Sequence, residues 1–252
     1  MIDLLAWRAI KIWHVAAAAW RLRSRPKDAP PPILLDVGAR GGPQRKWAML
    51  SRLTRIDMQL VEPENTEANR LRQLWPKARI IPFALGEQEG EASFHANRDP
   101  GLSSLLAPQA AAAGQIETIE KLIVRRFDAL CSEGGAARPD FVKIDTQGFE
   151  LSVLKGMGQT LDQALGLELE AQFAPLYQGQ SLFHEIYDWL TKRGFRLVAM
   201  RPQGLIDRGI VEANFFFARE PVPNDERSRV LAAAWQTLNR IPNHRHYVIR
   251  SG

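Results

Sequence analysis

The chain has 252 residues, 45% of them hydrophobic and 24% charged, which excludes a disordered chain, a collagen-like fibre and a multi-span membrane protein. Its single cysteine, Cys131, excludes an intrachain disulfide and a cysteine-built metal site, and fits a reducing compartment. The net charge of +5 is local, because residues 1–27 hold six bases (Arg8, Lys11, Arg21, Arg23, Arg25, Lys27) and one acid, Asp3. Residues 28–252 are neutral in sum, so no nucleic-acid partner is expected of the body.

Residues 2–25 contain neither Pro nor Gly and predict a helix. Ile2, Leu5, Ala9, Ile12, Trp13, Ala16 and Trp20 share one face, with Asp3, Lys11, His14, Arg21 and Arg25 opposite. The longest apolar run, Val15–Trp20, is far short of the roughly 18–20 residues that span a bilayer. Arg8 and Lys11 fall where a signal peptide needs its apolar centre. Two readings stay open. In one, the basic helix with Trp7, Trp13 and Trp20 makes a peripheral membrane contact through residues 1–27. In the other it packs on the body or on a second copy, as a homodimer element. Either way the protein is expected in the cytoplasm, free or on the inner face of the membrane. Pro26, Pro30, Pro31 and Pro32 stiffen a linker at 28–32.

Ile33–Val37 then reads as a buried strand closed by a glycine-rich turn, with Pro43 suited to a first helical turn. Met58–Val61 is a second strand, and a helix over about 64–75 stops at Pro76. Arg79–Leu85 reads as one strand and Gly86–Phe94 as a hairpin-like excursion. Residues 95–118 show no firm period, although Ala110–Ala113 suits a helix. Strands at Asp140–Ile144 and Leu165–Leu169 alternate with helices at about 149–157 and 182–193. Phe195–Met200 and Asn214–Ala218 are late strands, and 225–240 forms a final amphipathic helix. Such alternation predicts an α/β sheet with helices on both faces, whose ligands sit at the carboxyl ends of the strands.

The first strand ends in Asp36-Val37-Gly38-Ala39-Arg40-Gly41-Gly42, which is not the GxGxxG of a dinucleotide fold. An acid at this place repels a pyrophosphate and favours a cation. The second strand ends in Glu62, 26 residues after Asp36, where a carboxylate can accept hydrogen bonds from a ribose. A nucleoside with positive charge and no phosphates satisfies both acids, and S-adenosyl-L-methionine is one.

The fourth strand and the turn after it run Phe141-Val142-Lys143-Ile144-Asp145-Thr146-Gln147-Gly148-Phe149-Glu150 and lead to Leu154-Lys155-Gly156. Here the chain resembles the FkbM-type methyltransferases, whose hallmark is Ile-Asp at a strand end, then Gly, then an acid opening a helix that closes with Leu-Lys-Gly. The resemblance covers about residues 33–220. Asp36, Gly38, Ala39 and Gly42 look like its cofactor loop, and Glu62-Pro63 like its ribose turn. Ala84-Leu85-Gly86 with Gly90 is similar to its third-strand motif, and Ser103-Ser104-Leu105 to a loop serine motif. Glu168, Pro175-Leu176-Tyr177, Gly194-Phe195 and Asn214-Phe215 also fit. The resemblance implies a Rossmann-like class I methyltransferase fold with a mostly parallel central sheet and an antiparallel late strand. Residues 33–220 would form that domain, and 221–252 a C-terminal helix and tail. It also implies S-adenosylmethionine as methyl donor and a hydroxyl as the usual acceptor. Gln147 stands where many members carry a second acid, Arg40-Gly41 replaces a polar-then-apolar pair, and Phe83 replaces a small polar residue beside the adenine wall. Residues 1–30 have no counterpart.

Methyl transfer to an alcohol needs in-line alignment and removal of the hydroxyl proton. Asp145 is the first candidate for that work; its alternative role is to cap the following turn. Glu168 and Glu170 share one side of their strand, and buried acids need partners: substrate, a metal shared with Asp145, or a structural arginine. Glu168 is taken as the second catalytic candidate, and no metal site is expected. His95 is a minor candidate base, His184 an exposed helical residue, and Trp189 and Trp235 core residues. The leading function is O-methylation of a glycan, lipid-linked sugar or secondary metabolite. The alternatives are a non-catalytic membrane-associated module of the same fold and, less well matched, a nicotinamide-dependent oxidoreductase.

Overall fold

Two sheets of unequal size organise the chain. The computed structural model describes residues 4–109, 116–206 and 209–240, with backbone alone at 4–10 and 204–206. Ile2, Asp3, the Ala110–Ala113 helix and the tail from residue 241 lie outside the described residues, as do the side chains of Leu5, Trp7, Arg8 and Ala9. The elements in order are α1 (Leu4–Arg23), β1 (Ile33–Val37), α2 (Arg45–Leu53), β2 (Asp57–Val61), α3 (Asn65–Leu74), β3 (Arg79–Ile81), β4 (Ala84–Leu85), β5 (Gly90–Asn97) and β6 (Ile116–Arg125). There follow α4 (Phe127–Ser132), β7 (Phe141–Ile144), α5 (Glu150–Gly156), β8 (Gly166–Gln172), α6 (Phe183–Thr191), β9 (Phe195–Ile206), β10 (Gly209–Arg219) and α7 (Glu226–Leu238).

The main sheet has the order β3-β2-β1-β7-β8-β10-β9. The pairs from β3 to β8 are parallel and β10 runs against both its neighbours, so the mostly parallel sheet with an antiparallel late strand is what the chain forms. One face carries Leu34, Leu60, Phe141 and Phe216 under α1, α2 and α7, where Trp47, Phe141 and Trp235 stack with centroids 5.4–5.9 Å apart. The other carries Leu35, Val61, Ile144, Leu169 and Phe215 under α4, α5 and α6. Asp140 joins two distant segments by accepting two bonds from Arg227 of α7, at 2.7 and 2.8 Å, and one from the Ile33 amide.

Three expectations need correction. Arg79–Leu85 is not one strand, since β3 ends the main sheet and β4 starts a second one, β4-β6-β5. The excursion after Gly86 is half of this sheet, and its partner β6 was not foreseen. Most of β6 is solvent-exposed, including Ile119 and Ile123, so it lacks the apolar alternation that marks a half-buried strand. Finally, α1 packs on α7 and α2 of its own chain, but not through the expected face. Val15, Ala18, Ala19 and Leu22 are buried together with His14, while Ile12, Trp13, Ala16 and Trp20 are exposed. Small alanines at the contact let helix axes approach closely, which outweighs the larger apolar side chains opposite.

Candidate active site

A cleft of about 460 Å³ opens at the carboxyl ends of β1, β2, β7 and β8, roofed by the 99–105 loop, within the usual size of a small-molecule site. Gly38, Glu62, Ala84, Leu85 and Asp145 line it, as does Glu170. Asp36, Ala39, Gly42 and Glu168 lie outside the lining.

The reason for Asp36 is Lys143, which sequence reasoning passed over. Asp36, Lys143 and Glu168 are direct neighbours across β1, β7 and β8, so their side chains leave the same sheet face. The Lys143 ammonium lies 3.2 Å from Asp36, 3.4 Å from Asp145 and 3.2 Å from the Gly38 carbonyl, to which it donates. Asp36 is 1% exposed; burial pushes its carboxyl up to about 6, against the pull of Lys143. Burial also opposes the charge on Lys143, but Asp36 and Asp145 outweigh it and hold the ammonium protonated. A lysine inside an otherwise apolar buried strand was the signal that such a network exists.

Glu168 is likewise occupied. Its carboxylate sits 2.5 Å from Lys46 of α2 beneath the sheet, so its partner is structural, but a lysine in place of the expected arginine. Gly42 packs against the Trp75 indole and Ala39 belongs to the core under α2. The glycine turn is held by Glu67 of α3, which accepts from the Gly41 amide at 2.8 Å. Gly38, at φ +76°, passes so close to the end of β7 that a Cβ would stand 2.0 Å from the Asp145 carbonyl oxygen. Gly156 serves the same purpose on α5, where a Cβ would stand 2.0 Å from the Gly86 carbonyl. The Leu-Lys-Gly and Ala-Leu-Gly motifs are thus two sides of one backbone contact.

Glu62 accepts from the Glu64 amide at 2.9 Å and faces the cleft. Burial pushes its carboxyl up to about 7, opposed by that amide and by Arg40, which itself pairs with Glu64 at 2.5 Å. Phe83 is half-buried beneath the Arg125 guanidinium and is not among the lining residues.

At the other end of the cleft Gln147 adopts φ 54°, a conformation rarely seen in a residue with a side chain. Ser104 Oγ holds it by donating to its carbonyl at 2.7 Å, which gives the loop serine motif a physical role. Tyr177 Oη lies 3.1 Å from both the Gln147 amide oxygen and the Leu102 carbonyl. The Gln147 amide nitrogen then donates to Asp145 at 3.1 Å and to Glu170 at 2.8 Å. Glu170 accepts a further bond from Gln203, and burial, reinforced by Asp145 and Glu212, pushes its carboxyl up to about 7. Glu150 caps the loop, accepting from Thr146 N, Thr146 Oγ1 and Gly148 N at 3.0–3.1 Å. Its buried carboxyl is raised to about 7 despite those bonds. His95 is half-buried on β5 and outside the lining, and His184 is exposed. Among the described residues no three His, Cys, Asp or Glu side chains converge as a metal site.

These residues fit a positively charged nucleoside. A sunken carboxylate at the end of β2 can accept from ribose hydroxyls, and Ala84 and Leu85 supply an apolar wall. The family model for the FkbM methyltransferase domain matches residues 36–197. Among solved structures, an FkbM methyltransferase from Methylobacillus flagellatus is 16% identical, with a TM-score of 0.46 over 78% of this chain and 47% of that one. This chain therefore spans about half the length of that protein. Magnesium protoporphyrin IX methyltransferase from Synechocystis, with bound SAM, is 11% identical at TM-score 0.42, over 83% and 79%. The 1,6-didemethyltoxoflavin N1-methyltransferase from Burkholderia thailandensis, with S-adenosylhomocysteine, is 13% identical at TM-score 0.38, over 87% and 91%. No curated protein sequence matches significantly. The chain belongs to the FkbM methyltransferase family.

Proposed function

We propose that the protein methylates a hydroxyl of a glycan, lipid-linked sugar or secondary metabolite, with Asp145 as the group that orients and deprotonates the acceptor. The observation that carries this reading is the Asp145–Gln147–Glu170 set at the cleft wall, hydrogen-bonded through a single amide. S-adenosylmethionine supplies an electrophilic methyl group on a sulfonium. Asp145 accepts the hydroxyl proton as the new oxygen–carbon bond forms and the carbon–sulfur bond breaks. Glu62 would hold the ribose, and Ala84 and Leu85 would flank the base, beside a turn that Gly38 brings against the end of β7. Glu170, with a carboxyl near neutrality, accepts a second acceptor hydroxyl or relays the proton. The lining residues include Asp99, Asp145, Glu170 and Glu212 with Arg40 as their one base, among the described residues. That balance favours a neutral, hydroxyl-rich acceptor over an anionic one. Glu168 has no part in the chemistry proposed.

The test pairs calorimetry with methyl transfer. S-adenosylmethionine and S-adenosylhomocysteine should bind and NAD should not, and a panel of sugars and sugar-bearing lipids should include a substrate that gains an alkali-stable methyl ether. Methylation solely of carboxylates, giving alkali-labile esters, or solely of amines would overturn the hydroxyl assignment.

A further inference from the structure

Among the described residues, nothing packs on a second face of the first helix. Its buried side, Val15, Ala18, Ala19 and Leu22, fully accounts for its packing on α7 and α2. On the other side Trp13 is 61% exposed, Trp20 68% and Ile12 52%. The two indoles are seven residues apart, two helical turns, and so stand in one line about 10 Å apart along the axis. Arg21 and Arg23 border the stripe and are exposed. Arg23 also donates to the Leu53 carbonyl at the end of α2, so α1 is fixed to the body as it presents this face.

We propose that this face of α1 docks on an anionic lipid bilayer, with Trp13, Trp20 and Ile12 at the level of the headgroups and the arginines on lipid phosphates. Indoles favour that boundary because one edge is apolar and the other donates a hydrogen bond. The charge selects the occupant. Arg21 and Arg23 are the exposed bases beside this face, so a second copy docked on it would set like charge against like. The tail, residues 241–252, brings Arg245 and Arg250 and no acid, so it also mismatches. A duplex nucleic acid would satisfy the arginines but leave the Trp-Ile stripe without an apolar partner. No described helix is long and apolar enough to cross a membrane, so the contact is one of lying on the surface. The proposal does not depend on the chemistry of the cleft.

The test uses the full chain and vesicles of phosphatidylcholine with or without phosphatidylglycerol, read by co-sedimentation at low and high salt. The wild type should bind the anionic vesicles at low salt, lose binding at high salt and ignore neutral vesicles. Trp13→Ser/Trp20→Ser should bind about tenfold more weakly, with unchanged melting and cofactor affinity because both side chains are exposed. Failure of the wild type to bind anionic vesicles, or undiminished binding by the double variant, would overturn the proposal. So would a dimer that the double variant dissolves, or binding to duplex DNA but not to vesicles.

Discussion

Glu62→Gln tests the cofactor site and separates two opposed effects of one carboxyl. In the free protein burial raises Glu62 from 4.5 to about 7, so keeping it ionised costs about 3 kcal/mol. The residue is only 5% exposed, so solvent does little to screen that cost. An acid whose folded pKa lies above its unfolded value makes stability fall as pH rises from roughly 4.5 to 7, with the full cost above 7. The Gln variant lacks this fall. Without cofactor it should melt above the wild type at pH 8 and close to it at pH 4. Ribose hydroxyls donate to the ionised form, so binding runs the other way. Wild-type affinity should be about tenfold weaker at pH 6 than at pH 8, because a proton must first leave. The variant should lose roughly 1.5–3 kcal/mol of binding at pH 8, the contribution of a hydrogen bond to a charged group, and its pH dependence should flatten. Calorimetry and thermal melts on the same samples read both effects. A variant that binds like the wild type, or one that melts no higher at pH 8, would refute the reasoning.

Asp145→Asn should keep cofactor affinity within a few-fold yet lower turnover by about 10²–10⁴, measured in single-turnover methyl transfer; loss of cofactor binding alone would make Asp145 a cofactor ligand. Lys143→Met leaves Asp36 buried without its cation and should destabilise the fold by about 3–5 kcal/mol in urea melts, with part of the loss recovered in Lys143→Met/Asp36→Asn. Gln147→Glu removes the bridging donor and adds a carboxylate beside Asp145 and Glu170. Its pH–rate profile should shift towards higher pH, whereas Gln147→Asn should weaken activity without moving the profile.

The main sheet was legible because each parallel strand is a short apolar run bounded by Gly or Pro, and helices fill the intervals. Glu62, Asp145 and Gly38 were legible for a related reason: the fold puts its ligand at strand ends, and polar residues there are conspicuous. Where sequence reasoning failed, the deciding contact came from a segment distant in the chain. Nothing near Asp36 indicates that Lys143, more than a hundred residues on, is its partner, and nothing near Glu168 indicates Lys46. Strand neighbours set those pairs, and register is not written in either segment alone. The buried face of α1 is not its face of largest apolar volume. Helix contacts reward fit, and two adjacent alanines give a closer approach than tryptophans do.

Gln147 shows why a departure from a family pattern need not be a loss. A third acid at that position would share the space of Asp145 and Glu170, and one proton would then have to stay among the three. An amide instead donates to both carboxylates and accepts from Tyr177, so the position is satisfied by neutral bonds. Asp145 is left with a neighbouring lysine at 3.4 Å and an amide donor at 3.1 Å. Glu170, deeper and facing Asp145 and Glu212, is pushed by burial above all towards holding its proton near neutral pH. A single amide thus ties the acid proposed as the base to a second carboxyl able to keep or pass on a proton. That arrangement depends on Ser104 and Tyr177 holding a glutamine at φ 54°, which ties the loop over the cleft to the side chains beneath it.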